Sequence, residues 1–292
     1  MIAKPSSWST EKTVLIHAGD AVMPPLVQVP GGDTLPLLDG IVKPPDPDVL
    51  HEWNVGRGNL DADCSWASVW PAAANLAALI AREPQLVEGK RVAELGSGLG
   101  VAGLTAAKVG ATFATLIDKE PLALHCAMST AAVCGLPIGP VPDGSDAATS
   151  FYEEGGAGGG APPASVVSAT MTDWAQLADS GLVADVVLAA EVLYHPTEAQ
   201  PLVRAAASLL KDGGTLLLAD PAGGRIENAQ QAAAQALRDL GAVVSEVPLE
   251  APVYCGDGYY TLRAGDGKAN GASPTEAILL LRADFASPPL QL

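Results

Sequence analysis

Residues 92–103 read Val92-Ala93-Glu94-Leu95-Gly96-Ser97-Gly98-Leu99-Gly100-Val101-Ala102-Gly103. An apolar run, 92–95, meets three glycines at alternate positions, and residues 99–109 then carry a helical pattern. Glycine lets a backbone turn tightly and approach a ligand, and a helix N-terminus leaves N–H groups without intrahelical partners. Strand, glycine turn and helix in this order predict a nucleotide-binding corner at the end of a strand.

Outward from this corner the chain alternates. A helix is predicted over 70–82, with Pro71 in its first turn and Leu76, Leu79 and Ile80 as its apolar stripe. After the glycine turn come a strand at 113–117 ending at Asp118, a helix at 121–134 closed by Gly135, and strands at 166–169 and 185–190. A helix at 197–210 stops at Gly213-Gly214, and a fifth strand follows at 215–219. An alanine-rich helix at 226–240 and strands at 242–247 and 276–281 complete the pattern. The last two strands have no helix between them, so they pair antiparallel. The expected fold is α/β: a Rossmann-like seven-stranded sheet, mostly parallel, with the last strand reversed and helices on both faces.

Residues 1–48 are proline-rich, with short strands expected at 13–16 and 26–29. Pro24-Pro25 and Pro44-Pro45-Asp46-Pro47 break anything longer. They read as an arm lying on a domain that spans 49–292. Within that domain, 139–163 contains Glu-Glu-Gly-Gly-Ala-Gly-Gly-Gly-Ala-Pro-Pro and reads as a flexible low-complexity insertion.

Composition narrows the function classes. The net charge is −17 and the isoelectric point about 4.4, which repels phosphate backbones and attracts a basic protein as readily as it serves solubility. No run of about 18 apolar residues suggests a membrane span. Cys64, Cys126, Cys134 and Cys255 form no Cys-x-x-Cys pair, so no metal site is expected and a reducing, cytoplasmic compartment fits. The first twelve residues lack a secretory core; their serines and two lysines suit an organelle leader, whereas Glu11 and the absence of arginine do not.

The glycine turn fits two cofactors. Gly98-x-Gly100-x-x-Gly103 matches the dinucleotide fingerprint, and Glu94-x-Gly96-x-Gly98-x-Gly100 matches a pattern for S-adenosylmethionine. Asp118 stands at the end of the next strand, where a carboxylate accepts both ribose hydroxyls or caps the following helix. Two features favour S-adenosylmethionine. The fourth strand ends in Ala190-Glu191-Val192-Leu193-Tyr194-His195-Pro196, with no Tyr-x-x-x-Lys of the redox type, and the C-terminal strand pair is unlike a dinucleotide domain.

The order of these elements resembles the class I methyltransferases, the seven-strand S-adenosylmethionine fold. Trp70-Pro71, Glu94 to Gly100, Asp173-Trp174 and Glu191-x-x-Tyr194 resemble the seven-strand protein-lysine methyltransferases of family 16, the nicotinamide N-methyltransferase-like group. That group has Asp-x-x-Tyr where this chain has Glu-x-x-Tyr. Asp220-Pro221-Ala222-Gly223-Gly224-Arg225 is similar, with two extra residues, to the Asp-Pro-Gly-Arg turn of the branch acting on the electron-transfer flavoprotein β subunit.

The resemblance implies a role for each motif residue. Glu94, Gly96, Ser97, Gly98 and Gly100 would shape the methionine and ribose pocket, with Ala190 beside them. Asp118 would bind the ribose, Asp173 and Trp174 would border the adenine, and Trp70 would close over the cofactor. Glu191 and Tyr194 would face a substrate amine as the catalytic pair. Trp70 and Trp174 read equally well as core anchors, Glu191 as a solvated edge residue, and His195 as a structural turn residue. A free lysine has a pKa near 10.4, so about one in a thousand is neutral near pH 7.4. Burial beside aromatic groups lowers a lysine pKa whereas a carboxylate raises it, so Glu191 is expected to position and bind the amine, with its proton received through water, more than to act as a strong base, and Tyr194 to provide a wall and a hydrogen bond. The implied activity is methylation of a protein amine, lysine first. Small-molecule amines, arginine, and a non-catalytic methyltransferase-like subunit are the alternatives.

Overall fold

A computed structural model describes residues 13–14, 17–18, 21–22, 24–29, 35, 37–140, 165–194, 197–222, 228–249 and 277–286. The early strands are β1 (Thr13–Val14), β2 (His17–Ala18), β3 (Ala21–Val22), β4 (Leu26–Val29) and β5 (Ile41–Lys43), followed by helices α1 (Pro47–Val55) and α2 (Pro71–Arg82). The alternating core then runs β6 (Arg91–Leu95), α3 (Val101–Lys108), β7 (Phe113–Asp118), α4 (Pro121–Val133), β8 (Val166–Met171) and β9 (Ala184–Ala190). It ends with α5 (Ala199–Leu209), β10 (Leu210–Pro221), α6 (Ala229–Asp239), β11 (Val243–Leu249) and β12 (Ile278–Asp284).

Seven strands form one sheet in the order β11-β12-β10-β9-β6-β7-β8. β12 runs antiparallel to both β10 and β11, and β10 with β9, β9 with β6, β6 with β7 and β7 with β8 pair in parallel. Seven strands with the last one reversed is the arrangement the sequence predicts. Side chains alternate across the sheet. On one face, Val92, Ala114, Leu116, Val186 and Leu188 pack under α2, α3 and α4. On the other, Ala93, Leu95, Val187, Ala189 and Leu218 pack under α5 and α6. Both faces are covered, which is why these strands are near-continuous aliphatic runs.

Two elements were illegible as such. The 44–47 proline run does not only break structure, for it also starts α1. Asp46 Oδ1 accepts the Val49 N–H at 2.8 Å, and Pro47 occupies the first helical position, where its missing N–H costs nothing. β5 precedes it, pairs with β4, and is fastened to α4 by the Val42 N–H, which donates to Thr130 Oγ1 at 2.8 Å. Boundaries also shifted: β10 begins at Leu210 and carries a register irregularity between Leu210 and Thr215, so Gly213-Gly214 lies inside an irregular strand. Most of the expected insertion at 139–163, the His195-Pro196 turn, Gly223 to Arg225 and Cys255 lie outside the described residues.

Register places the site. Leu95 stands beside Ile117 on one side and Ala189 on the other, so the chain leaves β6, β7 and β9 at the same edge of the sheet. This is the carboxyl edge where the strand order switches direction, the place open α/β sheets bind ligands.

A candidate active site at the carboxyl edge of the sheet

The glycine turn is held by its neighbours. The Ser97 N–H donates to the Ile117 carbonyl at 3.0 Å, and the Gly100 N–H donates to the Ser97 carbonyl at 2.7 Å. Asp118 Oδ2 accepts the Gly98 N–H at 2.7 Å while Oδ1 accepts the Glu120 N–H at 2.9 Å. Gly96 has φ +62°, and a Cβ there would sit 2.7 Å from Val192 Cγ1. Only glycine satisfies both the left-handed backbone and that contact.

Glu94 is 3 % exposed and reaches across the turn, its Oε2 accepting the Gly103 N–H at 2.8 Å. A Cβ on Gly103 would lie 2.7 Å from that oxygen, so the last glycine of the motif is where the carboxylate docks. Burial pushes the Glu94 carboxyl up to about 8, against the lowering effect of the α3 N–H groups it accepts. Asp118 is raised for the same first reason, burial, and lowered by its Glu120 and Gly98 bonds.

The second wall comes from β9. Glu191 follows it with φ +52° and is 8 % exposed. Its Oε2 accepts the Ala72 N–H at 2.8 Å, satisfying an otherwise free donor at the start of α2. This corrects the reading of Glu191 as a solvated edge residue: the carboxylate is buried and fastens the Trp70-Pro71 corner. Tyr194 is 47 % exposed, and its phenol is pushed up to about 12, first by burial and then by the charges of Glu198, Asp63, Asp118 and Glu120.

Two tryptophans flank the opening. Trp70 Nε1 donates to the Ser65 carbonyl at 2.9 Å, and Trp70 precedes α2 as its cap residue. Asp173 Oδ1 accepts the Ala175 N–H at 3.0 Å and starts a short helical turn, Trp174–Asp179. A Cβ built on Gly96 would lie 3.8 Å from the Trp174 ring. Both are half-buried, and Trp174 also packs against the core beneath α5 and α6.

These parts enclose a cavity of about 540 Å³. Trp70, Glu94, Gly96, Ser97, Gly98, Asp118, Asp173, Trp174, Ala190, Glu191 and Tyr194 all line it. Gly100, the remaining motif glycine, lies behind the turn as the cap residue of α3. Sequence reading missed Ser68, Asp63, Glu120 and Glu198, which also line the cavity. Their signal was faint: polar residues in the turns that adjoin the motifs. Ser68 and Ser97 are 3 % and 7 % exposed, and their hydroxyls have no partner among the described residues. A buried hydroxyl without a partner is costly and marks where a polar ligand atom fits.

With this geometry established, comparison adds the following. The reversed seventh strand lying between the fifth and sixth, with the glycine turn after the central strand, decides the architecture. The chain has the class I methyltransferase fold. It is similar to the branched-chain polyamine synthase of Thermus thermophilus, with TM-score 0.51, 17% identity, and coverage of 76% of this chain and 57% of that one. Magnesium protoporphyrin IX methyltransferase from Synechocystis, determined with bound S-adenosylmethionine, gives TM-score 0.43 and 18% identity over 73% of this chain and 77% of that one. Among curated sequences, the electron transfer flavoprotein beta subunit lysine methyltransferase of Xenopus laevis is 38% identical over 61 residues, 21% of this chain. The match spans about a quarter of the length of that relative, 25%. No protein-family model matches. No helix of the described residues is long and apolar enough to cross a membrane.

Proposed function

We propose that this protein is an S-adenosylmethionine-dependent N-methyltransferase whose acceptor is a protein side-chain amine, lysine before others. The observation that carries it is the cavity itself: the glycine turn, the Asp118 carboxylate and two unpartnered serine hydroxyls meet a half-exposed tyrosine in one space. The residue set fits the cofactor. Asp118 offers a carboxylate to ribose hydroxyls, Ser97 offers a hydroxyl without a partner among the described residues, and Trp174 and Asp173, on the same lining, would border an adenine. Glu94 shapes this half from beneath by bracing the turn on α3. The 38% identical segment in a lysine methyltransferase supports the choice of acceptor.

Bound S-adenosylmethionine would supply an electrophilic methyl carbon, whose bond to sulfur breaks, leaving a thioether, as the bond to the amine nitrogen forms. The protein's task is then to position a neutral amine in line and exclude water. Tyr194 stays protonated near neutral pH, so it accepts a hydrogen bond from the amine or donates one, and is no base. Glu191 acts as a positioning residue, because its Oε2 already holds the start of α2 and with it the Trp70 corner. The proton shed by the amine leaves to water. Free thiols at Cys64, Cys126 and Cys134 agree with a cytoplasmic setting.

Titration calorimetry with S-adenosylhomocysteine tests this reading. Binding is expected, and Asp118→Ala should weaken it by about tenfold or more, the worth of one charge-assisted hydrogen bond. Wild-type protein that ignores the ligand at millimolar concentration would refute it.

A further inference from the structure

The acidic side chains of the cavity fall into two sets. Glu94, Asp118, Asp173 and Glu191 each accept a backbone N–H of the protein. Asp63, Glu120 and Glu198 come from three separate segments: the loop before the Ser65–Ala67 turn, the residue before α4, and the residue before α5. Among the described residues the side chains of Glu120 and Glu198 make no hydrogen bond or ion pair, and Asp63 uses only Oδ1, which accepts the Ser65 N–H at 2.9 Å. Burial and then Asp118 raise the Glu120 carboxyl while Lys119 lowers it, and the charges of Glu198, Asp63, Asp118 and Glu120 add to burial in raising the Tyr194 phenol. Lys119 is the one basic side chain on this lining among the described residues. Three carboxylates beside a single lysine repel one another more than that one charge offsets, so the arrangement favours a further cation from outside.

A second observation points the same way. Ser68 lies on this lining, is 3 % exposed, and its Oγ has no partner among the described residues. A buried hydroxyl can accept a hydrogen bond from an ammonium or guanidinium group.

The cation in question is not the reacting amine. That nitrogen must be neutral to form its new bond, and three carboxylates around it would hold its proton on. The carboxylates therefore serve a positive charge that stays charged throughout.

We propose that Asp63, Glu120 and Glu198 form a rim that reads a fixed positive charge next to the acceptor, so that the substrate is a lysine within a basic segment of a protein. This rests on the methyl-transfer reading above. The rim explains why the acceptor side carries carboxylates at exposed or half-exposed positions rather than a closed apolar slot: charges at an interface edge steer and select partners more than they hold them.

The test uses the full chain and the variant Asp63→Asn/Glu120→Gln/Glu198→Gln, which keeps side-chain shape and the Asp63 acceptor to Ser65. A dialysed cell lysate is incubated with labelled S-adenosylmethionine, and modified lysines are located by mass spectrometry. S-adenosylhomocysteine affinity of each protein is measured in parallel, and labelling rates are compared with both proteins saturated with S-adenosylmethionine, so that a change in cofactor affinity is not read as a change at the rim. The modified lysines should have lysine or arginine neighbours, and the variant should label them about tenfold more slowly. Raising salt from about 50 to about 500 mM should slow the wild type more steeply than the variant. Equal labelling by both proteins, modified sites in neutral or acidic surroundings, or ligand binding without any labelled lysine would each overturn the rim. Wild-type protein that fails to bind S-adenosylhomocysteine would instead overturn the methyl-transfer reading beneath it.

Discussion

On the glycine-turn side of the cavity, Glu94 and Asp118 give their oxygens to backbone N–H groups of the turn and of the helix beyond it. On the Tyr194 side, Glu120 and Glu198 give theirs to nothing among the described residues, and Tyr194 itself is half exposed. The first side is built before any ligand arrives, as preorganised sites are. The second is left open to whatever partner supplies the missing charge. Glu191 stands between them, facing the cavity yet bonded to α2.

The sharpest way to break the comparison is to deform the built side. Gly96→Val forces a branched side chain into a left-handed residue, with its Cβ 2.7 Å from Val192 Cγ1. S-adenosylhomocysteine affinity should fall by more than about a hundredfold in calorimetry, roughly 2.7 kcal/mol. Retained affinity would mean that the turn is not the cofactor's seat.

Next in size is the joint between the sides. Glu191→Ala leaves the Ala72 N–H buried without its acceptor, which costs about 1–3 kcal/mol in urea unfolding. Glu191→Gln keeps an oxygen in place and should cost less than half as much. Equal losses in the two variants would show that charge, rather than the α2 bond, is what matters there.

The open side should behave in the opposite sense. Tyr194→Phe should leave S-adenosylhomocysteine affinity unchanged and slow methyl transfer to lysine about tenfold, about 1.4 kcal/mol. A fall in cofactor affinity instead would move Tyr194 to the built side.

The smallest effect concerns Glu94, whose carboxyl burial pushes up to about 8 from an ordinary 4.5. Below the lower value both folded and unfolded chains are protonated. Between the two, the unfolded chain has released a proton that the folded chain keeps, so stability declines as pH rises through this window. Glu94→Gln, which still offers an oxygen to the Gly103 N–H, should flatten that decline. Melting temperatures of the unliganded proteins at pH 6 and pH 9 should diverge in favour of the variant; parallel curves would deny the burial effect.

How much of this was readable in advance follows from the range of each interaction. The β6–α3 corner was legible because its glycines, its helix start and Asp118 are local signals with fixed spacing. The reversed β12 was legible because residues 250–276 carry no helical sequence pattern. α1 was not, since proline reads as a breaker until Asp46 is noticed as a cap with Pro47 just inside. Glu191 was placed correctly at the edge of the sheet, but its partner Ala72 is 119 positions away and no local pattern announces it. Asp63, Glu120 and Glu198 escaped notice because each is an ordinary turn acid alone, and only the fold brings them to one cavity.

The position of β12 has a further consequence, for the timing of synthesis. Its ladder partners β10 and β11 are both made before it, and β11 pairs with no other strand of the sheet. A nascent chain that has reached Leu249 therefore carries a strand without a ladder and a β10 edge with Leu216 and Leu218 uncovered along one side. The sheet closes only when 278–284 slides between two strands already waiting for it. Such a chain is exposed to chaperones and proteases late in its making, and a stall before Ile278 would leave an open, apolar sheet edge rather than a smaller working domain.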